Sequence, residues 1–367
     1  MQLVNAENVQ QRNVHIDIIK GLAIMVVVAL HAGIPNMRWL NLIQMPIFFI
    51  TTGFCYKITT TESSDNMKNY VKKRIRSLYI TCLLWSLTIT SFHNYLVKAY
   101  LISDDYYTTK EMLIQIIKGV LFSGGGELSG TIWFLRTMFF SSMMYMVIDY
   151  IGQLFTANAK RVRWSICIVV LLIGWLAEFL NLSGKQYFNI FTVVFLYELG
   201  RGFKEHRTSI IHPGAGKERT AVLLGRIIIS VLILCILDKW GSVALNQNII
   251  TNPIFFSIAS VVGWILFIAL SEIISHQKQL SKLFVFMGRH TLAIMLFHFL
   301  CFKMVTYIQI CVYDWDIEKL SMFPCLIVEN GWWILYVVFG VTLPLIIAGT
   351  YEFLKEKCLN QSEHSLI

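Results

Sequence analysis

Apolar segments long enough to cross a membrane recur along almost the entire chain, and this repetition limits what the chain can fold into. They lie at about residues 15–34, 39–56, 77–97, 131–151, 164–181, 187–203, 221–238, 253–271, 291–312 and 331–351. A spanning helix needs about 20 apolar residues, so the 367-residue chain has room for about ten spans. Because hydrophobic residues make up 56% of the sequence and charged residues only 14%, a water-soluble globule is excluded. We therefore predict an all-α, polytopic transmembrane helical bundle.

The polar stretches between these segments are too short to fold on their own, which predicts a single membrane domain. We place a cytoplasmic segment at residues 1–14, the transmembrane domain at 15–351 and a cytoplasmic tail at 352–367. The N-terminal segment is polar, and no small-residue cleavage pattern follows the first apolar segment. A cleaved signal peptide is therefore not expected.

The positive charge of the chain is concentrated on one side of the predicted membrane. If the N-terminus is cytoplasmic, most of the 31 Lys and Arg residues fall in inner segments, as the positive-inside rule requires. This pattern predicts that both termini are cytoplasmic. Since the charges are spread over loop ends and not gathered on one face, membrane lipid is the expected partner and nucleic acid is excluded. The 8 cysteines contain no C-x-x-C pair, so neither a metal site nor a disulfide framework is expected.

The first apolar segment contains ionisable side chains that a bilayer disfavours. Lys20 and His31 are separated by a number of residues that corresponds to about three helical turns, so they share one face at about 16 Å along the axis. Asp17 lies on the same face, one turn below Lys20. An ionisable residue at the centre of a span costs roughly 2.5–3.5 kcal/mol and needs a partner or a function. Either Lys20 extends to the inner interface and His31 makes an interhelical hydrogen bond, or both belong to a functional site.

Two neighbouring stretches carry further unusual residues. Pro46 and Gly53 interrupt the second segment, and Thr52 can satisfy backbone groups that the irregularity frees. The result is either an ordinary kinked helix or one whose backbone a ligand can approach. A basic loop at Lys72–Arg76 precedes the third segment, and it either anchors the chain to anionic headgroups or binds an anionic ligand.

The motifs in these stretches match a known pattern. They are Asp17-x-x-Lys20-Gly21 followed by His31, Met45-Pro46-x-Phe48-Phe49-x-x-Thr52-Gly53-Phe54, Lys73-x-x-Arg76, Trp133-Phe134-Leu135, and a late segment from Thr291 to His298. Together they resemble the acyltransferase-3 family of integral membrane acyltransferases, and within it the fucose 4-O-acetylase-like branch. The chain departs from the branch at Leu30, Gln44 and Thr52, where the branch usually has Gly, His and Ser.

The resemblance implies transfer of an acyl group, usually acetyl, from cytoplasmic acyl-CoA to a hydroxyl of a cell-envelope carbohydrate, free or lipid-linked. It places the chain in the cytoplasmic membrane of a bacterium, with acyl-CoA as donor and no metal cofactor. His31 is the expected general base, or else a transient acyl carrier. Lys20, Lys73 and Arg76 are the expected phosphate-binding residues. The remaining candidates are assigned to the tunnel or acceptor pocket: Asp17, Phe49, Thr52, Gly53, Trp133, Arg136 and His298.

For three of these residues, their location in the predicted spans allows a structural interpretation as well. Trp133 could belong to an interfacial aromatic belt, and Arg136 could extend to the interface instead of stabilising an oxyanion. His298 could be a buried histidine without a role at His31. Two other function classes stay open at this point. One is a transporter or flippase of a lipid-linked sugar with a Lys and His proton relay, and the other is a non-catalytic component of an envelope complex.

Overall fold

The computed structural model of the chain describes residues 13–123, 126–205 and 217–364. Within these residues the chain is almost entirely helical, as predicted. The α-helices are α1 (Val14–His31), α2 (Pro46–Phe54), α3 (Ser64–Arg74), α4 (Ile80–Lys98), α5 (Thr109–Val120), α6 (Ile132–Leu154), α7 (Ala159–Phe179), α8 (Asn189–Glu205), α9 (Lys217–Trp240), α10 (Pro253–Ser275), α11 (Lys278–Arg289), α12 (Thr291–Tyr313) and α13 (Trp332–His364). Two short antiparallel strands, β1 (Val243–Ala244) and β2 (Ile249–Ile250), form a small hairpin after α9.

Eight helical stretches in the described part of the chain are long and apolar enough to cross a membrane. The chain is therefore a multi-pass membrane protein. The other two predicted segments contain α2 and α8, which have 9 and 17 residues. The total of ten spans and the cytoplasmic placement of the termini stay predictions. Most of the predicted segment at residues 1–14, together with Gly124, Gly125 and the end of the tail, lies outside the described residues.

The second predicted segment is helical only in its second half. A 3₁₀ turn occupies Arg38–Leu42, and the α-helix begins at Pro46, where a proline costs no hydrogen bond. The prediction of one helical span from residue 39 was therefore wrong. The Thr52 hydroxyl donates to the Phe48 carbonyl at 2.8 Å, within the helix. Gly53 lets α2 cross α8 closely, because a Cβ atom there would collide with the backbone of Tyr197.

The predicted basic loop is helical. Ser63 caps the start of α3 by accepting from the Asn66 backbone N–H at 3.1 Å. A turn of π-helix at Ile75–Tyr79 joins α3 to α4 without a break, so the basic cluster follows helical geometry. The prediction of a loop was wrong. The residues of α3 are mostly polar, so they show no helical periodicity of apolar residues from which a helix could be predicted.

A further helix, α5, lies within the long connection after α4. It starts with a capping box in which the Thr108 side chain accepts from the Glu111 backbone and the Glu111 carboxylate accepts from Thr108. These hydrogen bonds from the backbone and hydroxyl of Thr108 hold the pKa of Glu111 below its ordinary value. Sequence analysis assigned no helix to this connection.

Four buried charged side chains join α6, α7 and α8. Arg201 pairs with Asp149 at 2.5 Å, and the Arg163 Nε donates to Glu198 at 3.3 Å. Tyr145 donates to the same Glu198 oxygen at 2.6 Å. Two acids and two bases give a balanced cluster, which is the condition under which buried charges are tolerated. The cluster holds α7 and α8 against α6, and α6 lines the cavity described next.

Candidate active site

A cavity of about 830 Å³ extends along one face of α1. Lys20, Ile24, Val27 and His31 all line it. These residues follow the three-and-four spacing of a single helical face, and α1 runs unbroken from Val14 to His31. The distance along the axis between Lys20 and His31 is therefore about 16 Å, the value that the sequence predicts. The structure places both side chains in the same cavity.

Three cationic side chains line the cavity from the start of α1 and from the ends of α3 and α11, and we call this set the basic end: Lys20, Arg74 and Arg289. The buried Asp17 carboxylate lies 4.0 Å from the Lys20 Nζ and 3.8 Å from the Arg289 Nε. Arg74 donates to the Tyr70 hydroxyl at 3.2 Å. Asp17 thus orients two cations by contact, and the basic end keeps a net positive charge suited to an anionic ligand.

Close packing of α11 on α1 brings Arg289 to this end. A Cβ atom at Gly21 would collide with the Phe284 carbonyl, and one at Gly288 would collide with the backbone of Asp17. Two glycines therefore allow the helix backbones to approach. Sequence analysis did not select Arg289, since it lies far along the chain from α1.

The residues of the basic cluster that line the cavity are not those of the Lys73-x-x-Arg76 motif. Arg74 and Ser77 line the cavity, whereas Lys73 and Arg76 are exposed and do not. Each pair is spaced by three residues, so the pairs occupy different faces of the same helix. Arg74, and not Lys73 or Arg76, therefore lines the same cavity as Lys20.

At the far end of α1, His31 and His298 form a hydrogen-bonded pair. The Nδ1 of His31 lies 3.0 Å from the Nε2 of His298, and the two ring planes differ by only 5°. The Nδ1 of His298 lies 3.0 Å from the Ile294 carbonyl and 2.9 Å from the Met295 carbonyl. His298 was predicted to belong to the tunnel or acceptor pocket. It does not line the cavity, and its ring instead contacts that of His31.

The backbone of α12 determines which nitrogen atoms carry protons. A carbonyl oxygen only accepts, so the His298 Nδ1 must carry a hydrogen, and the neutral ring then has a lone pair at Nε2. That lone pair requires a hydrogen on the His31 Nδ1. The Nε2 of His31 is left as an unprotonated acceptor on a ring that lines the cavity. This assignment follows from the neighbouring groups.

Comparison with known proteins identifies the class of site. The acyltransferase-3 family model, described as an acyltransferase domain, matches residues 13–350. The chain belongs to the acyltransferase-3 family. No curated protein and no solved structure matches the sequence. Membership makes the chain a membrane acyltransferase, and the cavity around the histidine pair is its candidate active site.

The other residues of the acyltransferase-3 resemblance divide into two groups. Thr52 and Trp133 line the cavity. Phe49 does not, and instead packs edge-on against Phe134 with 5.5 Å between ring centroids. Gly53 likewise contributes the close crossing of α2 and α8 and does not line the cavity.

Arg136 is also separate from the cavity. Its guanidinium lies over the ring of Tyr187, 4.5 Å from the centroid, and its side chain is buried. It does not line the cavity that His31 lines. The geometry assigns it to the packing between α6 and the turn that precedes α8.

The end of the cavity opposite the basic end has polar groups of both signs, and we call it the polar end: Arg38, Asn41, Gln44, Asp238 and Asn246. Arg38 and Asp238 approach to 3.7 Å. The Gln44 side chain donates to the Asn41 amide oxygen at 3.0 Å. Amides and a paired acid and base suit an uncharged hydroxylated ligand. Asn41 and Asp238 were not among the predicted site residues, because they lie in the short turn at Arg38–Leu42 and near the end of α9, and their approach depends on how these distant elements pack.

The proton positions in the histidine pair can be measured directly. In protein with ¹⁵N-labelled histidine near neutral pH, we expect both His31 and His298 to show a protonated Nδ1 and a bare Nε2. The measurement is ¹⁵N NMR of the imidazole nitrogens, with the two signals assigned through the single variants His31→Gln and His298→Gln. A proton on the Nε2 of His31 in the intact protein would contradict the assignment.

Proposed function

We propose that the chain is an O-acyltransferase of the fucose 4-O-acetylase-like branch that moves an acyl group, most simply acetyl, from cytoplasmic acyl-CoA to a hydroxyl of a cell-envelope carbohydrate. The observation that carries the proposal is the cavity that contains both a cluster of cations and the bare Nε2 of His31. The site resides in the cytoplasmic membrane of a bacterium, with the basic end toward the cytosol, in agreement with the charge distribution of the sequence.

The basic end is suited to the phosphates of acyl-CoA. Lys20, Arg74 and Arg289 supply an ammonium and two guanidinium groups, the donors that bind phosphate most strongly. Lys73, in α3, and Arg76, in the π-helical turn that follows it, are exposed and add attraction for the donor from the cytosol. The thioester arm of the donor then extends along α1 toward His31.

The cavity wall between the basic end and His31 is apolar, which suits the pantetheine arm of the donor. Ile24 and Val27 separate Lys20 from His31 along the lined face of α1, and Phe48 and Leu78 also line the cavity. The rise of about 16 Å along α1 is of the same order as the length of an extended pantetheine arm. An apolar wall of this kind holds the arm and excludes water from the thioester.

The polar end is suited to the acceptor. Asn41, Asp238 and Asn246 can donate to and accept from sugar hydroxyls, and Trp133 offers a ring face for stacking. An acceptor bound there approaches His31 from the side opposite the donor. This arrangement supports transfer across the membrane to a lipid-linked or exported carbohydrate.

His31 is positioned to act as the general base in direct attack. Its Nε2 takes the proton of the acceptor hydroxyl while that oxygen attacks the thioester carbonyl carbon. The resulting imidazolium keeps its Nδ1–H hydrogen bond to His298, which disperses the new positive charge. His298 is therefore a positioning residue. A transient acyl-histidine at the same Nε2 is the alternative route. Family membership favours either route over a transporter with a proton relay.

Removal of the base should strongly slow transfer. We expect His31→Ala to lower acyl transfer by a factor of about 10² to 10⁴, the usual contribution of a general base. The measurement compares O-acetyl groups on envelope glycans, by mass and proton NMR, between cells that contain the native chain and cells that contain the variant. His276→Ala is the control, because His276 is exposed and does not line the cavity. Normal acetylation by a correctly inserted His31→Ala protein would exclude both routes.

Donor binding should depend on the face of α3 that meets the cavity. A hydrogen bond to a charged group contributes about 1.5–3 kcal/mol, so Arg74→Ala should weaken CoA binding by roughly tenfold or more. Lys73→Ala and Arg76→Ala should weaken it less, and Lys68→Ala, which removes an exposed residue paired with Asp65, should leave it unchanged. Calorimetric titration of purified protein with CoA measures all four. A larger loss in Lys73→Ala than in Arg74→Ala would contradict the proposed donor site.

A further inference from the structure

The start of α6 lies beside the histidine pair. A Cβ atom built at Gly130 would lie 3.5 Å from the Cε2 of Phe299. The ring of Phe299 lies 4.8 Å from that of His31 and 4.1 Å from that of His298, measured between centroids. Gly130 and the next residue, Thr131, line the same cavity as His31. The first turn of α6 and the reactive imidazole therefore face one volume.

Thr131 occupies the N-cap position of α6 but does not cap the helix. An N-cap threonine usually accepts a hydrogen bond from a backbone N–H in the first turn. Here the side chain makes no such bond. The residue is only 5% exposed, and its hydroxyl has no hydrogen-bond partner among the residues that the structure describes. An unpaired buried hydroxyl costs about 1–3 kcal/mol, which a ligand in the cavity would recover.

The helix itself adds to the electrostatic character of this position. α6 has 23 residues, and its backbone dipoles place a partial positive charge at its N-terminus. The first N–H groups of a helix have no partner within the helix. In α6 the Phe134 N–H donates to the Thr131 carbonyl at 3.1 Å, so the residues before Phe134 form the open turn. Negative charge that develops in the cavity is therefore stabilised at this end.

We propose that the Thr131 hydroxyl and the first turn of α6 form the oxyanion hole of the transfer reaction. This inference rests on the proposed acyltransferase function. The residue that sequence analysis offered for this role, Arg136, lies over Tyr187 and outside the cavity. Thr131 provides a neutral donor at the cavity wall, which does not compete with the basic end for the phosphates of the donor.

The proposed step balances in atoms and charge. The acceptor hydroxyl oxygen forms a bond to the thioester carbonyl carbon, and its proton passes to the Nε2 of His31. The carbonyl electron pair moves onto oxygen, and this oxyanion accepts hydrogen bonds from the Thr131 hydroxyl and the open turn of α6. When the carbonyl re-forms, the bond between carbon and sulfur breaks. The CoA thiolate leaves and takes the proton from the imidazolium of His31.

The test uses purified full-length protein with acetyl-CoA as donor and, as acceptor, the glycan fraction extracted from cells that lack the chain. Release of the CoA thiol gives kcat and KM. Loss of one oxyanion-hole donor costs on the order of 10²-fold in kcat, so Thr131→Val should show a loss of about this size. Thr131→Ser, which keeps the hydroxyl, should recover most of the activity. The KM for acetyl-CoA and the affinity for CoA should stay within about twofold, because the loss occurs only in the transition state.

A matched control lies on the same helix. Thr137 is buried, donates to Asn189 at 2.9 Å and does not line the cavity. Thr137→Val should lower the melting temperature and keep kcat within about twofold of the native value. Native kcat in Thr131→Val would overturn the oxyanion hole and leave the acyltransferase proposal intact. Equal losses of CoA affinity and kcat in Thr131→Val, or no rescue by Thr131→Ser, would also overturn it. An absence of thiol release from the native protein would instead refute the proposed function.

Discussion

The hydrogen bond between His31 and His298 determines the chemistry of the site. Its direction is set by two backbone carbonyls of α12, which force a hydrogen onto the His298 Nδ1. Inside a membrane protein every polar group needs an internal partner, and this chain of hydrogen bonds satisfies three of the four imidazole nitrogens. The fourth is the Nε2 of His31, a residue that lines the cavity. Internal hydrogen bonds therefore occupy three of these nitrogen atoms and leave the His31 Nε2 able to accept a proton from a substrate.

The other helices place further groups on two sides of the His31 imidazole. α1 supplies a continuous face from Lys20 to His31, and glycine contacts with α11 bring Arg289 beside Lys20. On the other side, the segment after α12 contacts the end of α1, where the Cys325 Sγ lies 3.5 Å from the His31 carbonyl oxygen. Lys303, buried in α12, donates to the carbonyls of Leu320, Ser321 and Met322 and so holds that segment in place. In the proposed reaction, the donor and the acceptor reach the imidazole of His31 by separate routes.

Sequence periodicity predicted the parts of the site that lie on a single helix. The spacing of Lys20 and His31 places them on one face, and both line the cavity. What the sequence could not predict depends on how separate elements meet. Arg74 lines the cavity because of the rotation of α3 about its axis. Since this stretch was predicted to be a loop, there was no basis in the sequence for predicting which of its residues face the cavity. Arg289 and Thr131 enter the site only through the packing of distant helices.

The central claim is that one passage connects the cations of the basic end with the Nε2 of His31. A cryo-EM structure with CoA bound tests it most directly. We expect the phosphates to contact Lys20, Arg74 and Arg289, the pantetheine arm to follow Ile24 and Val27, and the sulfur to lie within hydrogen-bond distance of the His31 Nε2. Phosphates bound outside the cavity, or packed side chains between the sulfur and that nitrogen, would contradict the claim.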